Sequence, residues 1–224
     1  MFVLVSPMSR EAGVAGLMAG WGVRTLPFTV VSPRTLDGAD LVATAFGEHA
    51  ITLPLRGTAV VFQGAVPLTP VDVQGGEKTV FTPLVSTDAS AWGESDMSRR
   101  PWSFDADLEP GGPLVLAAAV ERGVGKHKDI ALKPTRIVVA GDASFAVDGA
   151  LVSRANANRD LFRNAIAWLA GLDAVTAPAK PVNVLATGMD RKARMKFMVL
   201  SVLMLPCLLA TVGGLLSLRR RFLA

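Results

Sequence analysis

The sequence predicts an α/β fold with a mostly parallel sheet, followed by one C-terminal transmembrane helix. Three observations lead there. The stretches FVLVSP (2–7), PLVLAAAVER (113–122) and TRIVVAGD (135–142) are continuous apolar runs, the pattern of strands buried on both faces. Helical patterns alternate with them, most clearly over 158–171. Residues 197–218 form an uncharged run of 22 residues.

Each element has a local reason. The apolar run of 2–7 ends at a Pro turn, Pro7. Residues 9–22 read as a short helix with Ser9 as N-cap and Gly22 as stop. Residues 23–33 are extended. Residues 40–46 form a strand or loop, and 49–53 open a helical turn or loop. Residues 58–71 are strand-rich with Pro and Gly breaks, and 79–95 run from a strand into a polar loop. After the strand at 113–122, GVGKHKD (123–129) is a polar turn. Residues 158–171 form a helix: Asn158 fits the N-cap, Asp160 the acid-favouring first turn, and Gly171 the stop. Leu161, Ala165, Ile166, Trp168 and Leu169 cover its apolar face. Residues 172–190 are a Pro/Ala-rich linker. The expected organisation is therefore a domain over 1–175, a linker and basic segment over 176–196, a span over 197–218 and a basic tail over 219–224.

Composition narrows the classes. Half of the 224 residues are apolar, which excludes a disordered chain. The single Cys excludes a disulfide framework and a Cys-based zinc site. The net charge of +4 is unevenly placed: residues 1–190 hold 16 Lys and Arg against 19 Asp and Glu, and residues 191–224 hold seven Lys and Arg and no acid. A nucleic-acid-binding domain carries its positive excess on the folded part, so no nucleic-acid partner is expected.

The uncharged run spans about 33 Å as a helix, enough for a hydrocarbon core of roughly 30 Å. Arg191, Lys192, Arg194 and Lys196 precede it and Arg219, Arg220 and Arg221 follow it, placed to reach the two headgroup layers. A buried core helix is the competing reading, but such helices are usually shorter and amphipathic. Pro206, Gly213 and Gly214 are compatible with a membrane helix. The run at 1–5 is too short for a signal peptide and lacks its basic start. Taken literally, this describes a tail-anchored protein in the cell membrane, with the bilayer as a partner and an orientation that charge counting leaves open.

The chemical inventory is thin. Cys207 falls within the uncharged run, which removes Cys-His catalysis from the domain. His49 and His127 lie 78 residues apart, with no HExxH spacing, no GxSxG elbow and no GxGxxG loop in the chain. RGVGKHK lacks the GxxxxGK[ST] spacing of a phosphate cradle and reads as a hairpin turn. Asp105, Asp107 and Glu109, beside Trp102 and Phe104, read as a solvated acidic loop, with a metal site as the alternative. Asp142 has two readings. It ends a buried strand, where open α/β sheets place ligand-contacting groups; it equally suits a cap on the following loop. Asp142, Ser144, Asn158 and Asp160 form the candidate rim. No metal and no cofactor is expected.

The segment 135–171 resembles the auxiliary component of gliding-motility-type ABC transporters, the GldG-like family. The matching residues are Gly141, Asp142 and Phe145 after a strand, then Asn158, Arg159, Leu161, Phe162, Asn164, Ala165, Trp168 and Leu169. GEHAIT (47–52), with His49, and PLVSTDASAWGESD (83–96), with Trp92, match in the same order, as do Leu205 and Pro206 within the uncharged run and the closing Arg219–Arg221 cluster. Together the matches cover about three-quarters of the chain. The resemblance implies a Rossmann-like (flavodoxin- or glutamine-amidotransferase-like) domain outside the cytoplasm, beside an ABC permease and its ATPase, and no catalysis. It implies an N-terminally truncated front end, since the family carries a membrane helix and further strands before the segment matching FVLVSP. It also implies structural roles for His49, Trp92, Phe145, Arg159, Phe162, Asn164 and Trp168. The expected function is a non-enzymatic, membrane-anchored accessory subunit of an ABC-type transport system. The alternative is a tethered ligand-binding or degenerate enzyme domain of amidotransferase-like fold, although an amidotransferase nucleophile must be a thiolate and the domain has no Cys.

Overall fold

A computed structural model describes residues 1–7, 13–35, 38–73, 78–123, 125–127, 130–153, 155–172 and 191–200, and isolated positions beyond. The chain divides into two compact units, Met1–Leu185 and Ala186–Ala224.

In the first unit, the strands are β1 (Phe2–Leu4), β2 (Val23–Thr25), β3 (Thr29–Val31), β4 (Asp40–Ala43), β5 (Ala45–Phe46), β6 (Val60–Gln63), β7 (Leu68–Pro70), β8 (Thr79–Ser86), β9 (Trp92–Glu94), β10 (Val115–Arg122), β11 (Gly125–His127), β12 (Ile130–Leu132) and β13 (Thr135–Ala140). The helices are α1 (Val14–Gly20), α2 (Asp148–Val152) and α3 (Asn158–Leu169). Among the described residues the main sheet has seven strands. Its path is β1-β13-β10-β7-β2, with β8 along the other edge of β10 and β5 on β8. Small two-stranded sheets pair β3 with β9, β4 with β6 and β11 with β12.

This corrects the expected sheet. Only β1 and β13 pair in parallel; every other described pair is antiparallel. The fold is mixed α/β with a curled, mostly antiparallel sheet, and not a parallel Rossmann-like one. The physical reason lies in what covers the faces. Continuous apolar runs imply burial on both faces, and parallel sheets achieve that with crossover helices. Here the antiparallel sheet achieves it differently. Phe2, Leu4, Ala117, Ala119, Val138 and Ala140 lie on one face, under Leu161, Ala165 and Trp168 of α3 and under Phe62 and Phe145. Their sequence neighbours Val3, Val5, Ala118, Val120, Ile137 and Val139 lie on the other face, under Met18 of α1 and under Val23, Val66 and Leu68, where the sheet curls back on itself. The connection from β10 to β13 passes through the hairpin of β11 and β12 rather than a crossover helix, so the two strands are antiparallel.

The local readings around 158–171 and 9–22 are refined in detail. The α3 helix begins at Asn158, with Ala157 at the cap position, and no side chain caps it. Gly22 ends the α1 region at a φ of 81°, a backbone angle that suits Gly. Ser9 falls within residues 8–12, outside the described residues, as does the expected linker of 172–190 from residue 173 on.

In the second unit, α4 (Arg191–Val199) has nine residues, RKARMKFMV, and carries four basic ones. It is about 13.5 Å long at 1.5 Å per residue, less than half of a ~30 Å hydrocarbon core. Leu200 and Val202 then take the wider π turn. Among the described residues no helix is long and apolar enough to cross a membrane. That overturns the expected span over 197–218 and the membrane location that rested on it. The helix that is described, α4, carries Arg191, Lys192, Arg194 and Lys196 rather than an apolar surface. Much of 200–218 lies outside the described residues.

Candidate functional site

The candidate residues converge on one edge of β6. Its other edge pairs with β4. On the free edge, three alternate residues are bonded in turn. Ala157 N donates to Ala59 O at 2.7 Å. The Asn158 amide makes both bonds a neighbouring strand would make: Val61 N donates to its Oδ1 and its Nδ2 donates to Val61 O, each at 2.8 Å. Gln63 N donates to Asp142 Oδ2 at 2.7 Å. The other Asp142 oxygen accepts from Ser144 N at 2.7 Å and Ser144 Oγ at 2.6 Å. Asp142 and Asn158 are buried, and both carboxylate oxygens and both amide atoms are committed to these bonds. Backbone periodicity makes this possible, because residues 59, 61 and 63 of a strand point their N–H and C=O groups to the same edge.

Asp142, Ser144 and Asn158 therefore come together, and Asp160 does not join them. Its carboxylate pairs with Arg163 at 3.3 Å on the surface of α3. Gly141 lets this corner close: Gly141 N donates to Leu116 O and its carbonyl accepts from Val66 N, and a Cβ there would run into the Val66 carbonyl. Phe145 stacks on Phe62 with ring centroids 5.3 Å apart, beneath the same edge.

The remaining motif residues hold α3 in place. Phe162 stacks on Phe2 of β1 at 5.3 Å. Asn164 Nδ2 donates to Ile51 O at 3.0 Å, fastening the turn over 47–55. The His49 ring meets Trp168 edge-on at 4.8 Å, and its Nδ1 accepts from Ile51 N at 3.2 Å. Burial lowers the His49 pKa from 6.5; the Glu121 carboxylate works against this and the Arg136 cation with it. Arg136 lies over the Trp168 ring at 4.6 Å, donates to Trp168 O at 3.0 Å and pairs with Glu121 at 3.0 Å. A cation at a helix C-terminus complements the helix dipole. Arg159 is exposed.

Trp92 belongs to a second bracing system. Its Nε1 donates to Glu94 Oε2 at 3.3 Å, and its ring lies 6.3 Å from Phe104. Glu109, read from sequence as part of a solvated loop, is buried. It accepts from Ser95 N and Oγ, both at 2.9 Å, and from Asp105 N at 3.0 Å. Burial pushes the Glu109 pKa up, but these bonds and one with the Glu94 side chain outweigh it and hold the group below 4.5. Glu94, Glu121 and Arg136 had no motif to mark them; the one legible hint was charged residues inside apolar strand runs. Among the described residues no group of His, Cys, Asp and Glu can hold a metal ion.

Compared with protein-family models and with curated proteins, the sequence gives no match. The polar side chains of this site mostly pair with backbone, at distances suited to bracing loops and strand edges.

Proposed function

We propose that this protein is a non-enzymatic accessory subunit of an ABC-type transport system. Its domain contacts the permease, the substrate or an envelope partner, and a partner ATPase supplies the energy. The ordered set of GldG-like motifs from GEHAIT (47–52) to the helix at 158–169 is the observation that carries the reading. The geometry of those motifs supports it. Asp142, Asn158 and Asn164 each bond the backbone of residues 51–63, and Asp142 also accepts from Ser144, which suits a preformed contact surface. A pocket at Asp142 would need the carboxylate open to substrate, and it is 3% exposed with both oxygens already accepting bonds from within the domain.

The test is affinity purification of the tagged protein from detergent-solubilised cells. The expected result is co-purification of an ABC permease and ATPase. Recovery of the protein without them, under conditions that keep other transporter complexes intact, overturns the proposal.

A further inference from the structure

Beyond that function, the turn over 47–55 has the parts of a pH-sensitive latch. It is buried where it meets α3: Ile51, Thr52 and Leu55 are fully enclosed. Two side-chain contacts fasten it. One is neutral, the Asn164 amide on Ile51 O at 3.0 Å. The other is titratable, the His49 ring wedged against Trp168 at 4.8 Å.

We infer that protonation of His49 releases this turn from α3. The reason is the role of each ring nitrogen. Nδ1 accepts the Ile51 N–H, so the neutral ring carries its proton on Nε2. Adding a proton puts N–H at Nδ1, facing the Ile51 N–H, and two donors cannot share that bond. The new cation also arrives beside a Trp168 ring whose face already holds the Arg136 guanidinium.

The charged surroundings are mixed. Arg136 on β13 opposes protonation and Glu121 on β10 favours it, but these two pair with each other at 3.0 Å. The Met1 ammonium, at the start of β1, donates to Arg136 O. On the turn itself Glu48 and Arg56 pair with each other at 3.1 Å. On α3 Asp160 pairs with Arg163. Burial outweighs the Glu121 carboxylate and keeps the ring neutral, consistent with its lowered pKa. Release would free the backbone beyond Gly47, whose N–H stays bonded to Leu84 O at 3.0 Å, while the main sheet keeps its own pairings of β10 with β13 and β8.

The test is hydrogen exchange of the full chain between pH 5 and 7.5, corrected for intrinsic exchange rates and read on peptides covering 47–56. One proton taken up on opening makes the opening equilibrium rise by at most tenfold per pH unit as pH falls below 6.5. The expected result is such a rise in the wild type and in His127→Gln, and a flat profile in His49→Gln. A rise that persists in His49→Gln, one that disappears in His127→Gln, or none in the wild type overturns the inference. Where His49→Gln fails to fold, the wild-type His49 ring protons decide it by NMR. A ring titration that coincides with the exchange transition supports the latch, and one that does not overturns it.

Discussion

At residue scale, Asn158 shows how one side chain can replace a strand. Its amide has one acceptor and one donor at nearly the spacing of a peptide group, and it is held where Val61 offers the complementary pair. Replacing it with Ala removes both partners and leaves a strand N–H and C=O unpaired. Asn158→Ala is expected to cost about 2 to 6 kcal/mol of unfolding free energy, given about 1 to 3 kcal/mol for each of the two orphaned polar groups. Asp160→Ala, two residues on, removes only a partly exposed pair and is expected to change stability by less than about 1 kcal/mol. Urea unfolding of both variants checks the contrast, and equal losses would contradict the strand-edge role. These two residues were placed in one candidate rim from sequence. Spacing along the chain put them one beside the other, but on a helix two residues apart point to different sides. The fold sends one to β6 and the other to solvent.

At the scale of elements, α3 and the two long strands were legible. The period of apolar residues in NRDLFRNAIAWL is helical, and its buried positions Leu161, Ala165 and Trp168 follow that period. Ile166 was counted in the same apolar face, yet it is exposed. The helix lies on the sheet through a narrower stripe than its apolar content suggests. Leu161→Ala is therefore expected to lose about 2 to 5 kcal/mol, whereas Ile166→Ala is expected to lose less than about 1 kcal/mol, a surface change away from any packing. Thermal or chemical denaturation distinguishes them. What was not legible was strand direction. A run such as VLAAAVER says that both faces are covered, and it is silent about whether helices or a curled sheet cover them. The antiparallel connection is the hairpin of β11 and β12, and its first strand, Gly125–His127, lies where the sequence reads a polar turn over 123–129.

At the scale of the molecule, charge links stability to pH. Asp88, Asp96 and Glu109 all have pKa values lowered in the fold. Burial works against the shift in Asp88 and Glu109, but hydrogen bonds, from Ser90 to Asp88 and from Ser95 and Asp105 to Glu109, outweigh it. In Asp96 the bonds from Ser98 come first. A carboxylate lowered in the fold contributes stability above its ordinary value, here 3.8 for the two Asp and 4.5 for Glu109. That contribution is lost as pH falls through the lowered folded value. The urea midpoint is therefore expected to fall steeply below about pH 4.5. Glu109→Gln is expected to flatten part of that fall, and a fall unaltered by this substitution would remove Glu109 from the account. His49 adds a separate decline that starts near pH 6.5, since a neutral buried ring in the fold competes with a protonated one in the unfolded chain.

The sequence by itself determined the apolar periods, and with them β1, β10, β13 and α3, and the break at Gly22. These follow from nearest neighbours along the chain, where rise and side-chain period are set by local geometry. Only the tertiary structure decided strand order and direction, the use of Asp142 and Asn158 on β6, and the junction of His49, Trp168, Arg136 and Glu121. Those partners lie from 15 to 119 residues apart along the chain, and no local period encodes a pairing at that distance. Hydropathy likewise marked 197–218 as apolar, while among the described residues no helix is long and apolar enough to cross a membrane.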